Sequence, residues 1–323
     1  MNIIHKIDVL MPVKRVDTFF ELAVQSILES KEVDVRLILI DDTDGSKPIP
    51  MSEDSRIMIV TTGGVGYSKA IQAGLKFVTC PFIAFQDSDD LSTPNRLIKQ
   101  VELLKNQRAE IANCFMLRIN EKGRPKVLQL PDLSFCSNKS LPLLLGSYGA
   151  NSTWVTTSEV IKNNRLFDFS SESLDWNSAL FNFTKLKITT YKSPGYLYRI
   201  HKKQMTENSD YRLSLRDSIY PAWLELNTYF NLPVLAVEEY QSVAFPHGGS
   251  IWTLNSNRWA REFLKKFVSL NVGERRCARA VLGQRFIVNA LKLRVRRIGF
   301  FELSLSLSFF FYLIRLNLTR ILG

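Results

Sequence analysis

An α/β fold, with a mostly parallel central sheet and flanking helices, is what this chain of 323 residues predicts, followed by a helical C-terminal region. Three observations predict it. Over residues 1–105 short apolar runs alternate with amphipathic ones, the pattern of strands joined by helical crossovers. The run 35–40 is continuously apolar after Arg36, as in a strand buried on both faces. Two such runs end abruptly in acids, Asp41-Asp42 and Asp87-Ser88-Asp89-Asp90, at the strand ends where open α/β sheets bind ligands.

Taken in order, residues 7–13 read as a first strand that stops at Pro12. Residues 18–30 carry Phe19, Leu22, Ala23, Ile27 and Leu28 on one side of a helix, with Asp17 or Thr18 as its cap. The second strand runs into Asp41-Asp42-Thr43-Asp44-Gly45-Ser46. A third, 57–60, leads to Gly63-Gly64-Val65-Gly66, where the backbone can come close to a ligand. A helix over 68–78 follows, and then a fourth strand, 82–85. Thr93 before Pro94 suits an N-cap and first helical position. Asp87, Asp89 and Asp90 between them repel one another unless a cation holds them, and oxygen ligands suit Mg²⁺ or Mn²⁺, which would in turn hold a diphosphate. Residues 109–130 read as strands joined by a turn at Glu121-Lys122-Gly123, 132–149 as loop with a Leu-rich helical piece, 149–155 as a strand and 159–163 as a short helix. The first strand lacks a Gly-x-Gly-x-x-Gly after it and no Gly-x-x-x-x-Gly-Lys-Ser/Thr occurs, which argues against a dinucleotide site and excludes a P-loop.

Composition separates the two ends of the chain. Of its 42 basic and 31 acidic residues, 14 and 3 lie in 257–323, so the whole net charge of +11 belongs to that tail. Such a tail implies an anionic partner. Residues 211–230 and 252–270 read as helices, and 274–297 as a basic amphipathic helix with Val281, Val288, Leu291 and Val295 opposite Arg285, Asn289, Lys292 and Arg296. The apolar run 298–314 is marginal for spanning a bilayer, so peripheral attachment to the anionic cytoplasmic face of a membrane is the expectation, against an ordinary helical subdomain. Cys80, Cys114, Cys136 and Cys277 lack metal-ligand spacing and read as free thiols of a reducing compartment. The N-terminus reads as a strand rather than a signal peptide.

Several pieces recur in a recognisable order: Met11-Pro12-Val13; Leu39-Ile40-Asp41-Asp42; Gly64-Val65-Gly66-Tyr67-Ser68-Lys69-Ala70; Gln86-Asp87-Ser88-Asp89-Asp90; then Pro94, Arg96-Leu97 and Gln100. With them, residues 1–205 resemble a family 2 glycosyltransferase of the GT-A fold. The resemblance divides the chain into a catalytic domain, 1–205, with a nucleotide-binding half 1–105 and an acceptor half 106–205, and a C-terminal region 206–323. It implies that Asp42, with Asp41 beside it, contacts the base of a nucleotide-sugar donor, and that Pro12, Gly66 and Lys69 lie near the nucleotide. Asp87 to Asp90 match the Asp-x-Asp motif in either of two registers one residue apart. Asp89 is taken as the metal ligand, Asp87 as facing ribose or sugar and Asp90 as supporting the metal. Phe167-Asp168 matches a recurrent pair of the family. Asp175, 86 positions after Asp89, matches the catalytic base, although Leu174 stands where the family carries another acid. In Tyr198-Arg199-Ile200-His201, Arg199 is implied to face leaving diphosphate and His201 phosphate or metal.

The resulting expectation is an inverting transferase. It would use Mn²⁺ or Mg²⁺ and move a sugar from a nucleoside diphosphate donor, UDP-sugar favoured, to a saccharide or lipid-linked saccharide in surface polysaccharide biosynthesis. The competing class is a non-catalytic module that binds membrane or nucleic acid. Nucleic acid is disfavoured, because no RNA or DNA motif accompanies the charge and the arginines interleave with aliphatic residues.

Overall fold

A computed structural model describes residues 4–45, 49–50, 53–129, 141–145, 149–164, 166–167, 174–182, 186–205, 209–244, 252–266, 278–279, 281–283 and 306–307. The elements are β1 (His5–Val13), α1 (Thr18–Leu28), β2 (Val33–Asp41), β3 (Ile57–Thr61), α2 (Tyr67–Leu75), β4 (Phe82–Phe85), β5 (Leu91–Ser92), α3 (Arg96–Gln107), β6 (Ile111–Asn120), β7 (Pro125–Gln129), β8 (Val155–Thr157), α4 (Ser158–Asn164), α5 (Leu174–Phe181), β9 (Ile188–Ile200), α6 (Ser209–Tyr229), α7 (Val237–Ala244) and α8 (Leu254–Lys266).

The sheet runs β3-β2-β1-β4-β8-β6-β9-β5, with β7 paired to β6. Its first four strands are parallel, from His5↔Val33 to Val13↔Asp41 between β1 and β2 and from Ile7↔Phe82 to Leu10↔Phe85 between β1 and β4. Their C-terminal ends therefore share one edge. Both faces are covered, which explains the unbroken apolar runs. Ile7, Val9, Met11 and Val13 pack with Leu37 and Leu39 in one buried cluster that also takes in Phe20, Ala23 and Ile27 of α1 and Leu97, Val101 and Leu104 of α3. At about 1.5–3 kcal/mol for each such side chain, this burial dominates the stability of the unit. On the other face α2 lies directly on Leu10 and Ile40. A Cβ at Gly74 would stand 2.5 Å from Leu10 Cδ2 and 2.4 Å from Ile40 Cδ1, so the helix can sit this low only with glycine there.

Local signals explain the ends of some elements, and tertiary pairing the ends of others. Asp17 caps α1, its carboxylate accepting from the N–H groups of Phe19 and Phe20. The helix expected to open at Thr93-Pro94 begins instead at Arg96, after Asn95. Leu91 and Ser92 are drawn into a pairing with Leu197 and Tyr196, and the Thr93 N–H donates to the Gly195 carbonyl, which delays the helix. The strand expected over 149–155 is a 3₁₀ turn, Asn151–Thr153, and then β8. There the Ser152 and Thr153 carbonyls serve the buried Arg96 and Gln100 side chains instead of a strand partner. The strands after α3 thus extend it as a mixed sheet, with β8 antiparallel to β4 and β6, and β9 parallel to β6.

Chain contacts divide the protein into two compact units, Met1–Ser134 with Tyr148–Leu215, and Phe135–Ser147 with Arg216–Gly323. The second has its own aromatic core. Trp223 packs on Tyr240 and Trp259 with ring centroids 4.9 and 5.7 Å away, and its Nε1 donates to the Leu144 carbonyl. The α7 helix in this unit was not foreseen from the sequence. The basic amphipathic stretch 274–297 and the apolar run 298–314 lie, apart from 278–279, 281–283 and 306–307, outside the described residues. Among the described residues no helix is long and apolar enough to cross a membrane.

Candidate active site

The C-terminal edge of the parallel strands collects acids from β2 and β4. Asp41 is buried and folds its own turn: Oδ1 accepts from the Thr43 N–H and hydroxyl at 3.1 and 2.7 Å, Oδ2 from the Ile49 N–H at 3.2 Å. Asp42 gathers the glycine loop. Its Oδ1 accepts from the Thr62 hydroxyl and the Val65 N–H, both at 2.7 Å, and its Oδ2 from the Gly66 N–H at 3.0 Å. Gly63, Gly64 and Gly66 have φ of 74°, 79° and 91°, the left-handed region that glycine enters without steric penalty. Gly66 caps α2, and Lys69 is exposed on that helix. Pro12 is half-buried near the end of β1, opposite Ile40.

Beyond β4 the three carboxylates receive different surroundings. The Asp87 N–H donates to the Tyr196 hydroxyl at 3.1 Å, and its Oδ1 stands 3.5 Å from the Tyr67 hydroxyl, which accepts from Asn151 Nδ2 at 2.7 Å. Crowding by protein, then the charge of Asp89, pushes the Asp87 carboxyl up to about 7, against hydrogen bonds that pull it down. Asp90 is fully buried, and its Oδ1 accepts from the Arg199 N–H at 2.6 Å. Burial first, then the charges of Asp89 and Asp87, raises it well above the usual carboxylate range. Asp89 keeps 33% of its side chain exposed, and its Oδ2 is 2.8 Å from Nε2 of the buried His201. The Lys203 N–H points at Nδ1 of that ring at 3.2 Å.

Arg199 is bonded to the main chain beside the acids. Its guanidinium is buried. Nε donates to the Asp89 carbonyl at 2.9 Å and Nη1 to the Glu121 carbonyl at 2.9 Å, while the group lies 4.6 Å over the Phe19 ring. A cation engaged this way holds the main chain of Asp89, while its Nη2 has no hydrogen-bond partner among the described residues. Asp90, with no exposed surface and one oxygen already on the β9 main chain, likewise stands as a support. Asp89 and His201 are the pair with metal-ligand chemistry at the open edge.

That donor set fits a divalent cation. Asp89 Oδ2 and His201 Nε2 lie together, Nε2 being able to ligate once the proton of their hydrogen bond is gone, and Mg²⁺ or Mn²⁺ sites are commonly completed by substrate phosphates and water. Among the described residues no three His, Cys, Asp or Glu side chains converge as a ready-made cage. Asp175 stands in the first turn of α5; its side chain lies outside the described residues. Trp176 beside it is buried core.

Sequence reading quoted Arg96 and Gln100 without a task. They prove to be the floor of the site. The five guanidinium N–H groups of the fully buried Arg96 reach Gln100 Oε1, Gln86 Oε1, the Ser92 hydroxyl and the Phe85 and Ser152 carbonyls, at 2.6–3.0 Å. Gln100 in turn donates to the Ala112 and Thr153 carbonyls. The spacing of Arg96 and Gln100, four apart on one helix face, was the available signal.

Comparisons with known proteins agree with this geometry. Residues 8–174 match the model of glycosyl transferase family 2. The chain is 28% identical over 221 residues to the O-antigen biosynthesis glycosyltransferase WbnJ of Escherichia coli, covering 65% of this chain and 85% of that protein. It is 31% identical over 131 residues to the putative glycosyltransferase EpsE of Bacillus subtilis, covering 38% and 47%. Among solved structures it resembles S. aureus TarS 1-349 in complex with UDP-GlcNAc, with a TM-score of 0.52 and 12% identity over 88% of this chain and 81% of that one. The likeness to TarS 1-349 in complex with UDP has a TM-score of 0.50 and 11% identity, over 94% and 86%. At such identity these structures speak for the fold alone.

Proposed function

The chain belongs to glycosyl transferase family 2, and on that premise we propose that it is an inverting, metal-dependent enzyme that moves a sugar from a UDP-sugar to a saccharide or lipid-linked saccharide. One observation carries the reading: the Asp89–His201 pair, 2.8 Å apart at the open strand edge next to Asp87. Its place in the fold supports it too, since the glycine loop gathered by Asp42 lies at the same sheet edge. A nucleoside diphosphate is a donor class suited by a glycine loop beside a cation site. UDP is favoured because it is the nucleotide bound in the fold relative TarS. The polysaccharide context follows WbnJ, a glycosyltransferase of O-antigen biosynthesis.

In this mechanism Asp89 and His201 would hold Mn²⁺ or Mg²⁺, which supplies positive charge to the departing diphosphate. Asp175 takes the proton of the acceptor hydroxyl as its oxygen bonds to the anomeric carbon. The bond from that carbon to the phosphate oxygen breaks on the opposite face, and the configuration inverts. A carboxylate base in this role contributes about 10²–10⁴ in rate. Asp87 faces ribose or sugar, Arg199 and Asp90 keep the Asp89 main chain in place, and Arg96 fixes the floor beneath. Residues 206–323 carry the attachment to an anionic membrane surface on its cytoplasmic side.

Calorimetry with UDP, with and without Mn²⁺, tests the donor site. Wild type should bind UDP more tightly with the metal, and Asp89→Ala should lose that increment while remaining folded. Equal UDP affinity in both proteins with metal present would remove the assignment. The anomeric configuration of the product, read by NMR, tests inversion.

A further inference from the structure

We propose that Phe167 is a positioning residue that sets the base-bearing helix α5 against the donor-side helix α2. The proposal rests on the reading of Asp175 as the base. Phe167 has φ of 65°, in the left-handed region that bulky side chains rarely adopt. Three elements meet on it. Its carbonyl accepts from Gln72 Nε2 of α2 at 2.9 Å, across 95 residues of sequence. Its N–H donates to the Ser178 hydroxyl of α5 at 3.2 Å. Its ring is fully buried, 4.7 Å from Phe85 and 6.1 Å from Trp154 between ring centroids. Phe85 ends β4, two residues before Asp87. The residue therefore touches the strand that presents the acids, the helix that follows the glycine loop, and the helix that carries Asp175 three positions before Ser178.

The backbone conformation is what lets one residue do this. The ring is committed to the core under β4, so the amide and carbonyl can serve two separate helices only if the chain turns sharply there. Gln72 and Ser178 then act through Phe167 on the position of α5. They touch neither donor nor acceptor in this scheme. A base displaced by about 1 Å can lose about 10²-fold in rate, so loosening this corner should lower turnover and spare donor binding.

The test uses the full chain and UDP release from UDP-GlcNAc, UDP-glucose and UDP-galactose with Mn²⁺, water taking the acceptor's place as the attacking hydroxyl, in parallel with calorimetry of UDP. Gln72→Met and Ser178→Ala each remove one hydrogen bond to Phe167 at nearly unchanged volume. Each should lower kcat by about tenfold while KM for the donor and the UDP Kd stay at wild type and unfolding remains cooperative, with a lower midpoint. UDP affinity falling in step with kcat would reduce the corner to a general structural support and overturn the proposal. Asp175→Asn separates the two levels. If it is inactive while both corner variants keep wild-type turnover, the corner role alone fails. If it keeps full turnover, the base assignment fails and takes the corner role with it.

Discussion

Asp8 illustrates how a single residue secures the end of the sheet away from the site. It is fully buried and accepts from Arg36 Nε and Nη2 at 2.6 and 2.9 Å and from the Thr79 and Cys80 N–H groups at 2.7 and 2.8 Å. Burial by itself pushes the carboxyl up. The Arg36 hydrogen bonds and the two backbone N–H groups outweigh it, and the net position is below the usual carboxylate range. A depressed folded value stabilises the native state above the unfolded value, near 3.9, and that share is lost as pH falls through the folded value. Asp8→Asn should lower stability at pH 7 by about 1–3 kcal/mol, since Arg36 stays partly exposed and can turn to water. Its thermal midpoint should also fall less steeply than wild type below pH 4. Parallel acid limbs in the two proteins would contradict the assignment. The acids of the open edge were legible in the sequence for a simple reason: they stand in adjacent positions at a strand end. Their partners were not. Tyr196 and Tyr67 meet the Asp87 motif or its neighbours from 109 and 20 residues away, and no spacing rule connects them.

At the scale of an element, α2 shows how a helix is tied to its sheet. Alanine is the better helix former by about 1 kcal/mol. At position 74 that gain meets two buried side chains whose ends lie within 2.5 Å of the new Cβ. Overpacking of this kind costs about 1–3 kcal/mol, so Gly74→Ala should be net destabilising and lower the thermal midpoint. A higher midpoint would mean that α2 lifts off the sheet freely. The same helix is capped by Gly66 and carries Lys69, so its seating also sets the loop. Elements with strong periodicity, α1 and β2 among them, could be read from the chain directly. The two-residue β5 and the turn 151–153 could not, because they exist through pairing with β9 and through the needs of Arg96 and Gln100.

The whole molecule is electrically lopsided. All of the net +11 resides in residues 257–323. The full chain should float with vesicles containing anionic lipid and be released as salt rises, because such attraction is screened within a Debye length. Absence of binding at low salt would remove the membrane proposal, and binding to an oligonucleotide in place of vesicles would reverse the choice of partner. The α/β class, the order of the first four strands, the acid clusters and the charge asymmetry follow from local pattern and composition, since periodicity and adjacency are properties of a linear chain. Which acid remains open, which arginines hold main chain, and which bulky residue must turn left-handed depend on contacts between distant segments. Arg199 and Arg96 are alike as letters. Both are buried with main-chain carbonyls as acceptors, and only packing in three dimensions could bring those carbonyls to them.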